Sequence, residues 1–223
     1  RIRSLDRPTA CALAATYGSV SVVTFAAGQQ HLATLGVEAA GYMAAVLAVM
    51  ETPAILTALL LLNRAGRAYG AGPRAEPGAV LREVFFNAAS VMLIGSFAVG
   101  LISGDAGLER LDVFVGPLFQ GALCLFLLDI GLLAARRLMQ DGRKLGPAVL
   151  AFAVLFPMAS ALTALVLARL AGLGVGEAAL LTILAGSASY IAAPAAMRLA
   201  APEADPGVYV SCSLAVTFPF NLV

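Results

Sequence analysis

The chain has 223 residues, of which 61% are hydrophobic and 12% charged, with a formal net charge of +1 and a mean hydropathy of +0.92. Soluble domains carry about 25% charged residues, so a surface facing water on every side is excluded, and a near-neutral charge balance excludes the basic field that nucleic-acid binding requires. One histidine, His31, and three scattered cysteines, Cys11, Cys124 and Cys212, offer neither a zinc-type ligand set nor a disulfide framework, and the cysteines read as packing residues.

A helix needs about 20 apolar residues to cross the hydrocarbon of a bilayer. In chain order such windows predict an all-α polytopic membrane protein with seven spans, near 9–30, 39–62, 84–102, 113–135, 147–170, 177–197 and 207–223. The first two spans form one unit, residues 1–62. The polar stretch Asn63–Ala79, rich in Gly, Pro and Arg, reads as a cytoplasmic linker, and residues 80–223 form a five-helix unit. Arg1 at the start and an apolar run at Val223 suggest a piece of a longer protein. Seven alternating helices put Arg1, Arg3, Arg7, Arg64, Arg67, Arg74, Arg82, Arg136, Arg137, Arg143, Lys144 and Arg198 on one side and only Arg110 and Arg169 on the other. Such asymmetry marks the cytoplasmic side in a plasma (inner) membrane, with the N-terminal end and residues 63–83 inside.

The first span carries Gly18-Ser19-Val20-Ser21 and the sixth Gly186-Ser187-Ala188-Ser189; Pro53 and Pro219 follow at similar distances in the next span. Five helix steps separate the two motifs, so their helices cross the membrane in opposite directions, as in inverted-topology repeats. Glycine and serine predict interrupted helices. A half-helix that restarts at the midplane has amides without intrahelical acceptors and a positive dipole end, and two such ends make a pocket for a small anion. Ser21, Thr24, Ser187 and Ser189 add hydroxyls able to cap the half-helices or to bond a ligand. The alternative for each serine is a bond back into its own helix, with glycine serving close packing.

Acids inside a span cost about 2.5–3.5 kcal/mol and must face protein or water. Glu51, beside Pro53, suits a cation or a proton, or a bundle-stabilising hydrogen bond. Asp129 is expected to pair with Arg136 or Arg137 by snorkelling. Asn221 mirrors Glu51 across the repeat, and Glu51, Thr217 and Asn221 are the candidate sodium ligands. His31 falls at the outer end of its helix.

The segments YGSVSVVTFAAG, METPAI, GSASYIAAPAAMR and VTFPFN, together with LFQGALCLFLLDIG in the fourth span, resemble the sodium-dependent bicarbonate permease family, the cyanobacterial type included. The matches run in order along almost the whole chain. The resemblance implies ten helices in two inverted repeats of five, with the fourth and ninth discontinuous and meeting at the substrate. On that mapping the chain lacks the first three helices of repeat one, and the family's substrate residues carry over to Gly18, Ser21 and Thr24 in one motif and Gly186, Ser187 and Ser189 in the other, with the neighbouring Ser19 and Tyr190 completing the candidate substrate set. It also implies sodium as coupling ion with no other cofactor, a homotrimer, and in some members a cytoplasmic partner like a PII signalling protein. The chain departs from the pattern in carrying Tyr190 where some bicarbonate-transporting members have an acid.

These features converge on a sodium-coupled importer of a small anion, bicarbonate first, with an organic monocarboxylate as the alternative and a non-transporting receptor or subunit as the second. An intramembrane enzyme would need a zinc motif, a Ser–His pair or facing aspartates, which a single histidine and the isolated Asp129 do not provide.

Overall fold

The computed structural model describes residues 5–51, 57, 78, 82 and 88–222, all of its regular structure being helical. Pro53, most of the 63–79 linker and the start of the third span lie outside the described residues.

The first span is two helices. α1 (Arg7–Gly18) starts at the cap Asp6, whose carboxylate accepts from the Thr9 amide at 3.3 Å, with Pro8 in its first turn. α2 (Val22–Thr34) starts at Ser21, whose hydroxyl oxygen accepts from the Thr24 amide at 3.1 Å. Gly36 closes α2 at φ +68°: the Val37 amide reaches back to the Leu32 carbonyl and that of Gly36 to Ala33, a Schellman end that favours glycine. Residues 43–51 form α3.

α4 (Ala88–Val113) covers the third span and the stretch 103–112 expected to be an outer loop. That stretch is helical instead. Its Leu108, Glu109, Arg110 and Leu111 are helix formers, and the turn falls on one residue, Gly104, at φ 55° and ψ −158°. This region is essentially confined to glycine. Gly107 then lies against Ser103, and the two limbs face each other across a cavity lined by Met92, Ser96 and Val99 on one side and Gly107, Leu111 and Val115 on the other. A π-helical turn, Phe114–Leu118, surrounds Pro117, whose missing N–H breaks the ordinary ladder, and α5 (Phe119–Asp141) follows. In α5 it is Asp141 that pairs with Arg137, at 3.6 Å, rather than Asp129. The i,i+4 spacing brings Asp141 over Arg137, whereas Asp129 is two turns away.

α6 (Pro147–Leu170) ends at Gly172 in the same Schellman geometry as α2. The sixth span is again two helices, α7 (Val175–Ala185) and α8 (Ala192–Ala200). The last comprises α9 (Pro206–Val210), a π-helical stretch Ser211–Thr217 just ahead of Pro219, and α10 (Phe218–Leu222). Among the described residues three helical courses are long and apolar enough to cross a bilayer by themselves: Arg7–Thr34, Glu109–Asp141 and Pro147–Leu170. The other expected spans are divided by breaks or run into residues that are not described. Large apolar side chains stand outward, among them Leu101, Ile102, Leu125 and Leu170, each more than two-thirds exposed, as suits a surface solvated by lipid.

The core forms where the two broken helices cross. Ala12, Leu13, Ala15 and Tyr17 of α1 pack with Ala193, Ala196 and Met197 of α8 and Tyr209 of α9, while Phe25 and Leu32 of α2 pack with Leu180 and Leu184 of α7 and Met43 and Leu47 of α3. The first half of each broken helix therefore lies beside the second half of the other, which is an antiparallel crossing.

Candidate functional site

Both breaks fall on the two GSxS motifs. Gly18 is the last residue of α1; Ser19, Val20 and Ser21 are non-helical, and Ser19 and Ser21 adopt extended backbone. Gly186 ends α7, and residues 187–191 are non-helical before α8. Gly186 sits where a methyl group would meet Ala161 Cβ at 3.0 Å and the Pro157 carbonyl at 3.4 Å, so close approach to α6 calls for glycine here.

Direct bonds join the two breaks. The Ser21 amide donates to the Ser187 hydroxyl oxygen at 2.9 Å, and that hydroxyl donates on to the Leu184 carbonyl at 2.7 Å. The Ser189 amide donates to the Thr16 carbonyl at 2.8 Å. Each restarting helix has a serine bonded to its first turn: Ser21 is the N-cap of α2, and Ser189, two residues before the Ile191 N-cap of α8, accepts from the Ala193 amide at 3.1 Å. The Ser19 hydroxyl donates to the Glu51 carbonyl at 3.3 Å and so ties α3 to the first break. Serines 19, 21, 187 and 189 are all nearly or fully buried. The Ser21, Ser187 and Ser189 hydroxyls satisfy backbone groups that the breaks expose, as buried polar groups require.

A cavity of about 480 Å³ opens between the breaks. Ser21 and the first residues of α2 line one side, Ser189, Tyr190, Ile191 and Ala192 at the start of α8 another, and Glu51 a third; Met92, Ser96 and Phe119 complete the wall. Two helix starts thus face one space, each with a positive dipole end. The Tyr190 ring is 8% exposed and stacks at a tilt on Phe218, centroids 5.0 Å apart. Its hydroxyl, buried beside Ser21, makes no well-formed hydrogen bond. The Thr24 hydroxyl is likewise buried and unpartnered, one turn into α2.

The remaining candidates lie around this cavity rather than on it. Thr217 accepts from or donates to the Tyr17 hydroxyl at 2.7 Å and donates to the Ala153 carbonyl at 2.7 Å; since its single proton is used on Ala153, Tyr17 is the donor. Asn221 donates its amide to the Gly186 carbonyl at 2.9 Å, satisfying the end of α7. Neither bond runs to Glu51, which alone of the three candidate sodium residues faces the cavity. Ser96, Met92 and Phe119 were not among the sequence candidates. Ser96 is a polar residue in an apolar span, a signal that Asn87, Gly95 and Gly100 in the same span obscure.

In comparisons with known proteins, a family model described as the Na+-dependent bicarbonate transporter superfamily matches residues 1–223. No curated protein matches the chain.

Proposed function

The chain belongs to the Na+-dependent bicarbonate transporter superfamily, and from that premise we propose that it is a sodium-coupled importer whose substrate, bicarbonate, binds in the cavity between the two breaks. It is an integral membrane protein of a transporter family; the plasma membrane and a cytoplasmic position for residues 63–83 are part of the proposal. The observation that carries the reading is the convergence of two helix starts, α2 and α8, on one cavity that also holds the unpartnered Tyr190 hydroxyl. Amides at helix starts and hydroxyl donors stabilise a small anion without a fixed positive charge, which leaves binding weak enough for release.

In this mechanism the anion rests against the starts of α2 and α8, with Tyr190, Ser21 and Ser189 adding polar contacts. Sodium enters with it and offsets its charge. Access then alternates as one group of helices moves against the other around the site. The lining is largely apolar, with Val20, Val22, Val23, Phe119 and Ile191, and this favours a small organic monocarboxylate as the second reading.

The test is uptake of labelled bicarbonate by proteoliposomes holding the full-length protein, with and without an inward Na+ gradient. Uptake should require the gradient and fall at least about tenfold in the Ser21→Ala/Ser189→Ala double variant, in line with losing two bonds of about 1 kcal/mol each. Gradient-driven uptake that persists in a folded double variant would remove the site. Uptake of acetate or propionate in place of bicarbonate would favour the second reading.

A further inference from the structure

We infer that Glu51 is the specificity-determining residue of this site: its carboxylate accepts the hydrogen bond of the bicarbonate hydroxyl and so selects anions that carry an O–H donor. The inference rests on the reading of the cavity as the anion site.

Glu51 is an acid in an apolar span, 4% exposed, and the only carboxylate among the described residues that line the cavity. Its backbone carbonyl is held by the Ser19 hydroxyl, which fixes where α3 presents the side chain. Among the described residues no hydrogen bond or ion pair engages its carboxyl. A buried acid costs too much to leave idle unless it faces water or a ligand, and here it faces the space into which both helix starts point. Their dipoles favour a negative charge at that position.

The chemistry of bicarbonate matches this inventory. The ion has two oxygens that only accept and one hydroxyl that donates. Helix-start amides and the Tyr190 hydroxyl meet the accepting oxygens. The donating hydroxyl needs an acceptor; the Ser21 and Ser189 oxygens each already accept one bond, from the Thr24 and Ala193 amides, and an ionised carboxylate is a stronger acceptor than a hydroxyl. Glu51 is a pure acceptor when ionised. Nitrate, formate and acetate are of similar size and charge but have no hydrogen to give. Against them Glu51 is an unpaired, repelling charge, and sites that read a substrate hydroxyl in this way reject the analogue lacking it by factors of up to about 10⁴. With bicarbonate bound, two negative groups share the cavity, and the co-transported Na+ offsets one of them.

The experiment is inhibition of Na+-driven bicarbonate uptake by unlabelled bicarbonate, nitrate and formate, in proteoliposomes of the full-length wild type, Glu51→Gln and Glu51→Leu. In the wild type nitrate and formate should be at least about 100-fold weaker inhibitors than bicarbonate. Glu51→Gln retains a carbonyl acceptor and should keep most of that preference. Glu51→Leu should bring the three anions to within about threefold of one another, since the dipoles and hydroxyls that remain do not distinguish them. Glu51→Met serves in the same way if the leucine variant does not fold. The ratio between anions is a readout that a merely structural role would leave unmoved. The inference is overturned by a wild type that does not discriminate, by a leucine or methionine variant that discriminates as the wild type does, or by one whose only change is a higher Na+ requirement. Absence of Na+-driven bicarbonate uptake in the folded wild type sinks the reading of the cavity itself, and this inference with it.

Discussion

Tyr17 and Thr217 show how single side chains hold the crossing together. Tyr17 is the penultimate residue of α1; its ring meets Phe152 edge-on at 4.9 Å and its hydroxyl reaches Thr217, which in turn bonds Ala153 of α6. Both are almost wholly buried, so removing one partner leaves a polar group stranded at about 1–3 kcal/mol. Thr217→Val should lower stability by that amount in thermal unfolding in detergent. Adding Tyr17→Phe to it should cost little more, because the stranded hydroxyl goes too. Additive losses would mean that the two groups act independently. The same residue-scale logic separates the candidates by role: Thr217 and Asn221 satisfy backbone carbonyls, while Ser21, Ser189, Tyr190 and Glu51 meet the cavity.

At the scale of elements, interruptions are local conflicts between sequence and helix that the fold puts to use. Ser21 and Ser189 make the two restarts tolerable by accepting from amides of their first turns, and Pro117 and Pro219 lie in or just after π-helical turns, where a missing N–H is absorbed. Gly104 turns α4 back on itself in a conformation that a side chain opposes. Gly104→Ala should therefore cost about 1–3 kcal/mol, measured as a lower unfolding midpoint, while an alanine at Gly121, which has open space around its would-be Cβ within α5, should be neutral or slightly stabilising. Equal effects at the two positions would mean that the Gly104 turn is not strained.

For the whole molecule the question is which parts move together. The broken helices are joined at their breaks by the Ser189–Thr16 backbone bond and by the Ser21 amide on the Ser187 hydroxyl, and a Cβ on Gly28 of α2 would reach within 2.8 Å of the Ile183 side chain of α7. Interfaces packed this closely behave as one body rather than deforming continuously. A Gly28→Cys/Ile183→Cys pair should then cross-link on oxidation, and the cross-linked protein should still transport, because in the proposed mechanism the two helices carry the site together while other helices move past them. Loss of transport on oxidation, restored by reductant, would show that the pair parts during the cycle.

Much of this was legible in the residues. Apolar runs of bilayer length in a chain with 12% charged residues have no stable home but a membrane, where backbone groups must be satisfied within helices. The two GSxS motifs located both breaks, because glycine and serine are poor helix formers whose hydroxyls can cap a restart. What a linear pattern does not carry is distance between its parts. Only the tertiary structure set α1 beside α8 and α2 beside α7, brought Glu51 to the cavity while turning Thr217 and Asn221 to backbone carbonyls, and added Ser96 and Phe119 to the wall. It also reduced the expected outer loop to a single glycine turn, since helix propensity over residues 105–112 prevailed over their polarity. Local chemistry determines where a helix breaks; which breaks face one another is decided by long-range packing.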